Sequence, residues 1–190
     1  MTTMGSGAGR YLWLLRHGKA KADAPGGGGD RERPLTDRGR RDARALGARM
    51  AGEGASLGLE GIPLPELGIC SAAVRTRQTA DLVAEAMGGR LPLDAYRSLY
   101  GAGSELILQY VREVDEGVMS VMVVGHNPTM EHLTWELLAD DEDRPPGDRA
   151  TLGAHGFPTC GLAVLSLDVA AWEDVVHGCA TLVGLFKPPY

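Results

Sequence analysis

The chain has 190 residues, a formal net charge of −6, 44% apolar residues and 23% charged residues. Such proportions suit one globular domain with a sizeable core, and they exclude wholesale disorder and any need for a disulfide framework or a structural metal. The acidic balance argues against nucleic acid or an anionic membrane as partner; the 16 arginines against 3 lysines are accounted for by genome composition alone, and where an arginine is functional it favours bidentate capture of phosphate or carboxylate.

The start, MTTMGSGAGR, holds no apolar stretch and reads as a disordered extension over 1–10, leaving 11–190 as a single domain. Tyr11–Leu15 is a short continuous apolar run, the pattern of a strand buried on both faces, and it ends in Arg16-His17-Gly18. Four glycines, Gly26–Gly29, interrupt the next stretch and predict a loop without regular structure. Thr36 caps a helix to about Met50, with Ala43, Leu46, Gly47 and Met50 on one face. Leu67–Ser71 reads as a second strand, followed by a helix over Val74–Met87 that Gly88-Gly89 stops. Leu91–Leu99 has room for a short strand. Ser104 then caps a helix ending near Gly117, with Leu106, Ile107, Tyr110, Val111 and Val114 inward.

Val118–Val124 is the most hydrophobic strand segment, and it runs into Gly125-His126-Asn127-Pro128. Asn127 is read as an N-cap and Pro128 as the first residue of a helix whose Met130, Leu133, Leu137 and Leu138 face inward. The stretch 140–155 is acidic and aperiodic, a long loop carrying Asp140–Asp143, and Thr159–Leu167 and Cys179–Phe186 are closing strands. Strands alternating with helices predict an α/β fold with a mostly parallel sheet. Cys70, Cys160 and Cys179 are odd in number and scattered, as expected of reduced thiols in a cytoplasmic protein, and no apolar run reaches membrane-spanning length.

Three fragments sit just past three apolar strands: Arg16-His17-Gly18, Ser71–Thr76 with Arg75, and Gly125-His126-Asn127. In open α/β sheets ligands bind outside the carboxyl ends of the strands, so these fragments are expected to converge. Two imidazoles and two guanidiniums then suit a tetrahedral dianion, and a helix starting at Pro128 adds N–H groups beside His126. Lys19 and Arg33 in RERPLT are candidate contacts at the flank of the pocket. His132, His155 and His177 lack ligand spacing, so no metal site is expected, and Gly26–Gly29 lacks the context of a phosphate-binding loop.

LLRHGKA, RPLTDRGRRDA, CSAAVRTRQTA and VMVVGHNPTM together resemble the motifs of the histidine phosphatase superfamily, which includes the phosphoglycerate-mutase-like enzymes. The brevity of the chain, the RHGKA and GHNP forms, and PTCGLAVLSL before a final strand ending LFKPP resemble the SixA-type phosphohistidine phosphatases. The resemblance implies a three-layer α/β/α sandwich and a cofactor-independent phosphatase. It also implies His17 as the nucleophile that becomes phosphorylated, Arg16 and Arg75 as phosphate clamps, and His126 as the second histidine. Arg16, His17, Arg75, His126 and Asn127 are expected to bind phosphate, and phosphate or sulfate is expected to occupy the site.

Many superfamily members that cleave monoesters carry a glutamate as general acid after the second helix. Here Leu93–Glu105 offers only Asp94 and Glu105. Glu105 is expected in the first turn of a helix, where the dipole favours a carboxylate, although it is also a candidate for the substrate flank. A phosphoramidate needs less help from an acid, because imidazole is a far less basic leaving group than an alkoxide. The leading expectation is therefore removal of phosphate from phosphohistidine in a histidine-containing phosphotransfer domain. The alternatives are a small phosphorylated metabolite, such as a sugar phosphate or nucleotide, and a non-catalytic phosphoprotein-binding module.

Overall fold

The run Tyr11–Leu15 lies inside the sheet. In a computed structural model, which describes residues 9–52, 57–89, 91–139, 152–154 and 156–190, it forms β1 (Arg10–Arg16). Side chains alternate across a strand, so Leu12 and Leu14 enter one core while Trp13 and Leu15 enter the other. Each such leucine, fully buried, is worth on the order of 2 kcal/mol in transfer from water.

Five more strands complete a sheet of order β3-β2-β4-β1-β5-β6: β2 (Leu67–Ser71), β3 (Leu93–Tyr96), β4 (Ser120–Gly125), β5 (Leu162–Leu167) and β6 (Ala180–Phe186). The first four in that order pair in parallel, while β5 runs antiparallel to β1, and β6 antiparallel to β5. Helices α1 (Asp37–Met50) and α2 (Val74–Ala86) cover the face bearing Trp13, Met122 and Val124. Helices α3 (Ser104–Arg112) and α4 (Thr129–Leu137) cover the face bearing Leu12, Leu14 and Val123. The three-layer α/β/α sandwich around a mostly parallel sheet is thus present. Thr36 caps α1 as read, its hydroxyl accepting from the Gly39 N–H at 3.1 Å.

Four sequence expectations need correction. Arg10 is not part of a frayed end. It begins β1 with a buried side chain, donating to the carbonyls of Ala170, Val118 and Glu116, pairing with the Glu116 carboxylate and lying 5.3 Å over the Trp172 ring. That many partners offset the cost of burying a guanidinium. The glycine run is not featureless: Pro25–Gly27 forms a tight turn with Gly26 and Gly27 at positive φ, and a 3-10 turn follows at Asp30–Glu32.

Ser104 does not cap α3. It is the first helical residue after Gly103, and the helix ends at Arg112, with Leu108 as well as Ile107 and Val111 in the core. Asn127 does not cap α4 either. Pro128 is the cap residue, and the Asn127 amide is drawn away by Glu131 Oε2 at 3.0 Å and the Phe157 carbonyl at 3.1 Å. The acidic Asp140–Asp143 stretch and His155 lie outside the described residues. Among the described residues no helix is long and apolar enough to cross a membrane.

Candidate active site

The parallel strands β1, β2 and β4 end side by side at Arg16, Ser71 and Gly125. The chain just beyond β1 is pinned from both directions. The His17 N–H donates to the Gly125 carbonyl at 3.1 Å, and the His17 carbonyl accepts from the Cys160 N–H at 3.0 Å. Gly18 is needed because the loop presses on the start of α1: a Cβ on it would meet the Gly39 carbonyl oxygen at 2.9 Å, and a Cβ on Gly39 would meet the Lys19 carbonyl at 2.4 Å. The Gly18 N–H donates to Thr79 Oγ1 at 3.0 Å, and that hydroxyl donates to the Arg75 carbonyl at 2.7 Å. The Arg16-His17-Gly18 turn is thereby tied to α2.

His17 Nδ1 donates to the Gly18 carbonyl at 2.7 Å, which leaves the lone pair on Nε2. Burial, with smaller contributions from the positive charges of Arg75, Arg16 and Arg33, brings the imidazole down to about 4. His126 stands against it, ring centroids 5.1 Å apart at 63°, with Nε2 3.0 Å from Ser71 Oγ. Burial first, then His17 and Arg75, brings His126 down to about 3. Both imidazoles are neutral at pH 7. The positive charge of the site therefore rests on the guanidiniums.

The two arginines are anchored alike and each keeps a donor in hand. Arg16 Nη1 donates to the Phe157 carbonyl at 2.7 Å, and Arg75 Nη1 to the Asp30 carbonyl at 2.7 Å. The Nε of each is buried without a hydrogen-bond partner. Buried donors of a charged group are costly to leave unpaired, so these two await an acceptor. They line a cavity of about 440 Å³ that also brings together His17, His126, Asn127, Lys19, Arg33, Tyr100 and Thr159. Its contents suit a tetrahedral oxyanion held by two guanidiniums, with an unprotonated imidazole beside it.

The other expected residues divide. Asn127 lines the cavity, but its N–H groups are spent on Glu131 and Phe157, so its side chain has none left for phosphate. The N–H groups of α4 are not all free beside His126, because Met130 N already donates to the His126 carbonyl at 3.0 Å. Lys19 reaches the rim, exposed. Arg33 lines the cavity with Nη1 donating to the Lys21 and Ala22 carbonyls and Nε facing the Asp30 carboxylate in an ion pair at 2.8 Å. Glu105 does not reach the cavity lining, and pairs with Arg112 at 2.7 Å; Asp94 is exposed on β3. Among the described residues no aspartate or glutamate lines the cavity, and no cluster of metal-ligating side chains occurs.

Sequence reasoning missed Asp30, Tyr100, Thr159, the Ser71 hydroxyl and the Phe157 carbonyl. Tyr100 stands edge-on to His126 at 5.5 Å. A carbonyl carries no residue signature at all, and Asp30 is embedded in a glycine run whose composition signals only a turn.

Comparison with known proteins is consistent with this geometry. The model of the Histidine phosphatase superfamily (branch 1) matches residues 12–100. An uncharacterized protein of Mycobacterium tuberculosis is 33% identical over 175 residues, covering 92% of this chain and 99% of the relative. A structure from Nakamurella multipartitia, provisionally assigned as the phosphohistidine phosphatase SixA, superposes with a TM-score of 0.78 at 32% identity, covering 96% of this chain and 98% of its own. The protein histidine phosphatase SixA complexed with tungstate superposes with a TM-score of 0.68 at 25% identity, covering 94% and 97%.

Proposed function

Because the chain belongs to the histidine phosphatase superfamily, we propose that it removes phosphate from phosphohistidine in a signalling protein, through a phosphorylated His17. The observation that carries this reading is the pair of buried, partnerless Nε donors, Arg16 and Arg75, in the cavity that holds a neutral His17. The SixA relative that holds tungstate, a tetrahedral oxyanion, supports it further.

In the proposed reaction His17 Nε2 donates its lone pair to phosphorus, in line with the scissile bond. The new N–P bond forms as the substrate's N–P bond breaks, and the departing imidazole takes a proton from solvent. Arg16 and Arg75 absorb charge on the equatorial oxygens. Water then attacks phosphorus, phosphate leaves, and the bonding pair returns to His17. The first step exchanges one phosphoramidate for another, so it is close to thermoneutral and makes no demand for a strong acid. That agrees with a cavity lined by no carboxylate among the described residues. A monoester that expels an alkoxide makes the opposite demand.

The test is a panel assayed side by side: a phosphorylated histidine-containing phosphotransfer domain, p-nitrophenyl phosphate and 3-phosphoglycerate. Phosphohistidine and the aryl ester are expected to turn over about 10²–10⁴-fold faster than the alkyl ester, the usual contribution of general acid catalysis. Comparable rates on the alkyl ester make the protein a small-molecule phosphomonoesterase instead. No turnover on any of them, with phosphate still bound, makes it a phosphoprotein-binding module.

A further inference from the structure

The glycine-rich segment makes a contact that the proposed reaction leaves unused. Asp30 opens the turn Asp30–Glu32, and its Oδ2 accepts from Arg75 Nη2 at 2.9 Å and from the Tyr100 hydroxyl at 2.5 Å. Its backbone carbonyl accepts from Arg75 Nη1 at 2.7 Å, and its Oδ1 faces Arg33 Nε at 2.8 Å. One residue thus closes the whole outer edge of the Arg75 fork. The Nε edge is left over, buried and without a partner.

A guanidinium is planar and rigid, so fixing one edge fixes the direction of the other. The Arg75 side chain is only 6% exposed. We propose that Asp30 is a positioning residue for Arg75, holding the outer edge of the guanidinium so that the Nε edge is presented to the phosphoryl group bound beside His17. The inference rests on the phosphatase reading above, and it gives the glycine-rich loop a part in the reaction.

Charge alone argues for the opposite effect. A carboxylate beside an anion site repels the anion, so deleting Asp30 should tighten phosphate binding if geometry did not matter. The Asp30 side chain is 49% exposed, so that repulsion is screened by water and salt. Loss of a defined donor direction is not screened. The two effects differ in sign, and a binding measurement separates them.

Binding of inorganic phosphate by titration calorimetry, and kcat/KM on p-nitrophenyl phosphate, are measured for the wild type, Asp30→Ala, Asp30→Asn, Arg75→Ala and the double variant Asp30→Ala/Arg75→Ala. Asp30→Ala is expected to weaken phosphate binding and lower kcat/KM by about tenfold each. Asp30→Asn keeps an acceptor for Nη2 and is expected to recover part of both. In the Arg75→Ala background Asp30→Ala is expected to add less than about twofold, because a residue that acts through Arg75 has nothing left to act on. Tighter phosphate binding in Asp30→Ala overturns the proposal, and so does an undiminished penalty without Arg75. Wild-type phosphate affinity in Arg75→Ala alone overturns the phosphatase site itself, which keeps the two failures apart.

Discussion

Arg16 and Arg75 hold the same donor in reserve, yet they stand on different ground. Arg16 extends from the end of β1, where the backbone is laddered to β4 on one side and β5 on the other. Its Nη1 rests on the Phe157 carbonyl, five residues before β5 and its pairing with β1. Arg75 belongs to the first turn of α2, but what holds its fork is Asp30, on a loop with glycines at positive φ. Glycine costs more conformational entropy to order than any other residue, so the contacts of Asp30 with Arg75, Arg33 and Tyr100 must offset that cost. One wall of the cavity is therefore given by the sheet. The other exists only while a set of charged contacts holds a loop in place.

The largest expected effect tests the sheet wall. His17→Ala removes the nucleophile, and turnover of p-nitrophenyl phosphate should fall by more than about 10⁴-fold. Phosphate should still bind, because Arg16, Arg75 and Asp30 remain. Near-wild-type turnover sinks the assignment. In the wild type a trapped phosphoenzyme should be acid-labile and alkali-stable, as an N–P bond requires.

A smaller effect sharpens the contrast by pH. Burial brings His17 from 6.5 to about 4, so kcat/KM should be flat across neutral pH and fall about tenfold per unit only below about pH 4. Stability follows the same sign. The unfolded chain protonates both histidines near pH 6.5 while the folded chain resists, so stability should decline as pH falls from 6.5 towards 4 for His17 and towards 3 for His126. Asp30 behaves differently: the Tyr100 hydroxyl and Arg75 hold it near 2, so the loop wall keeps its charge throughout that window. Activity that already collapses near pH 6.5 means that His17 is not buried as described.

The smallest expected effect is a control that touches neither wall. Glu105→Gln breaks only an exposed ion pair with Arg112, of a kind worth about 0–1 kcal/mol. Turnover of every substrate in the panel should change less than about twofold. A selective loss on the alkyl ester brings a general acid back into the account.

The same contrast explains what could be read from the chain. The sheet wall was legible because apolar runs mark strands, and Arg16, His17 and His126 follow them directly. Arg75 was legible as the opening of a helix after a third run. The loop wall was not, because the partners of Asp30 lie 45 and 70 positions away along the chain and no local pattern encodes them. The Asn127 cap failed for a related reason: the Glu131 carboxylate and the Phe157 carbonyl hold its side-chain N–H groups, and that orientation leaves Oδ1, the acceptor a cap requires, without a helix N–H. Arg10 failed because a charged residue near a chain end is normally solvated, and its burial depends on carbonyls from two distant segments.

The facing glycines, Gly18 and Gly39, have a consequence for how this protein varies over generations. Each would drive its Cβ into the other's neighbourhood, against backbone rather than against a side chain that yields. No second substitution relieves such a clash, so the pair has no compensatory partner in sequence space. Gly29, where an added Cβ meets nothing, is under no such constraint. In a saturation library selected for activity, positions 18 and 39 should therefore stay fixed together, while position 29 accepts many residues. Within the loop that carries Asp30 that freedom belongs to position 29, since Gly26 and Gly27 hold positive φ and a Cβ on Gly28 would meet Glu32.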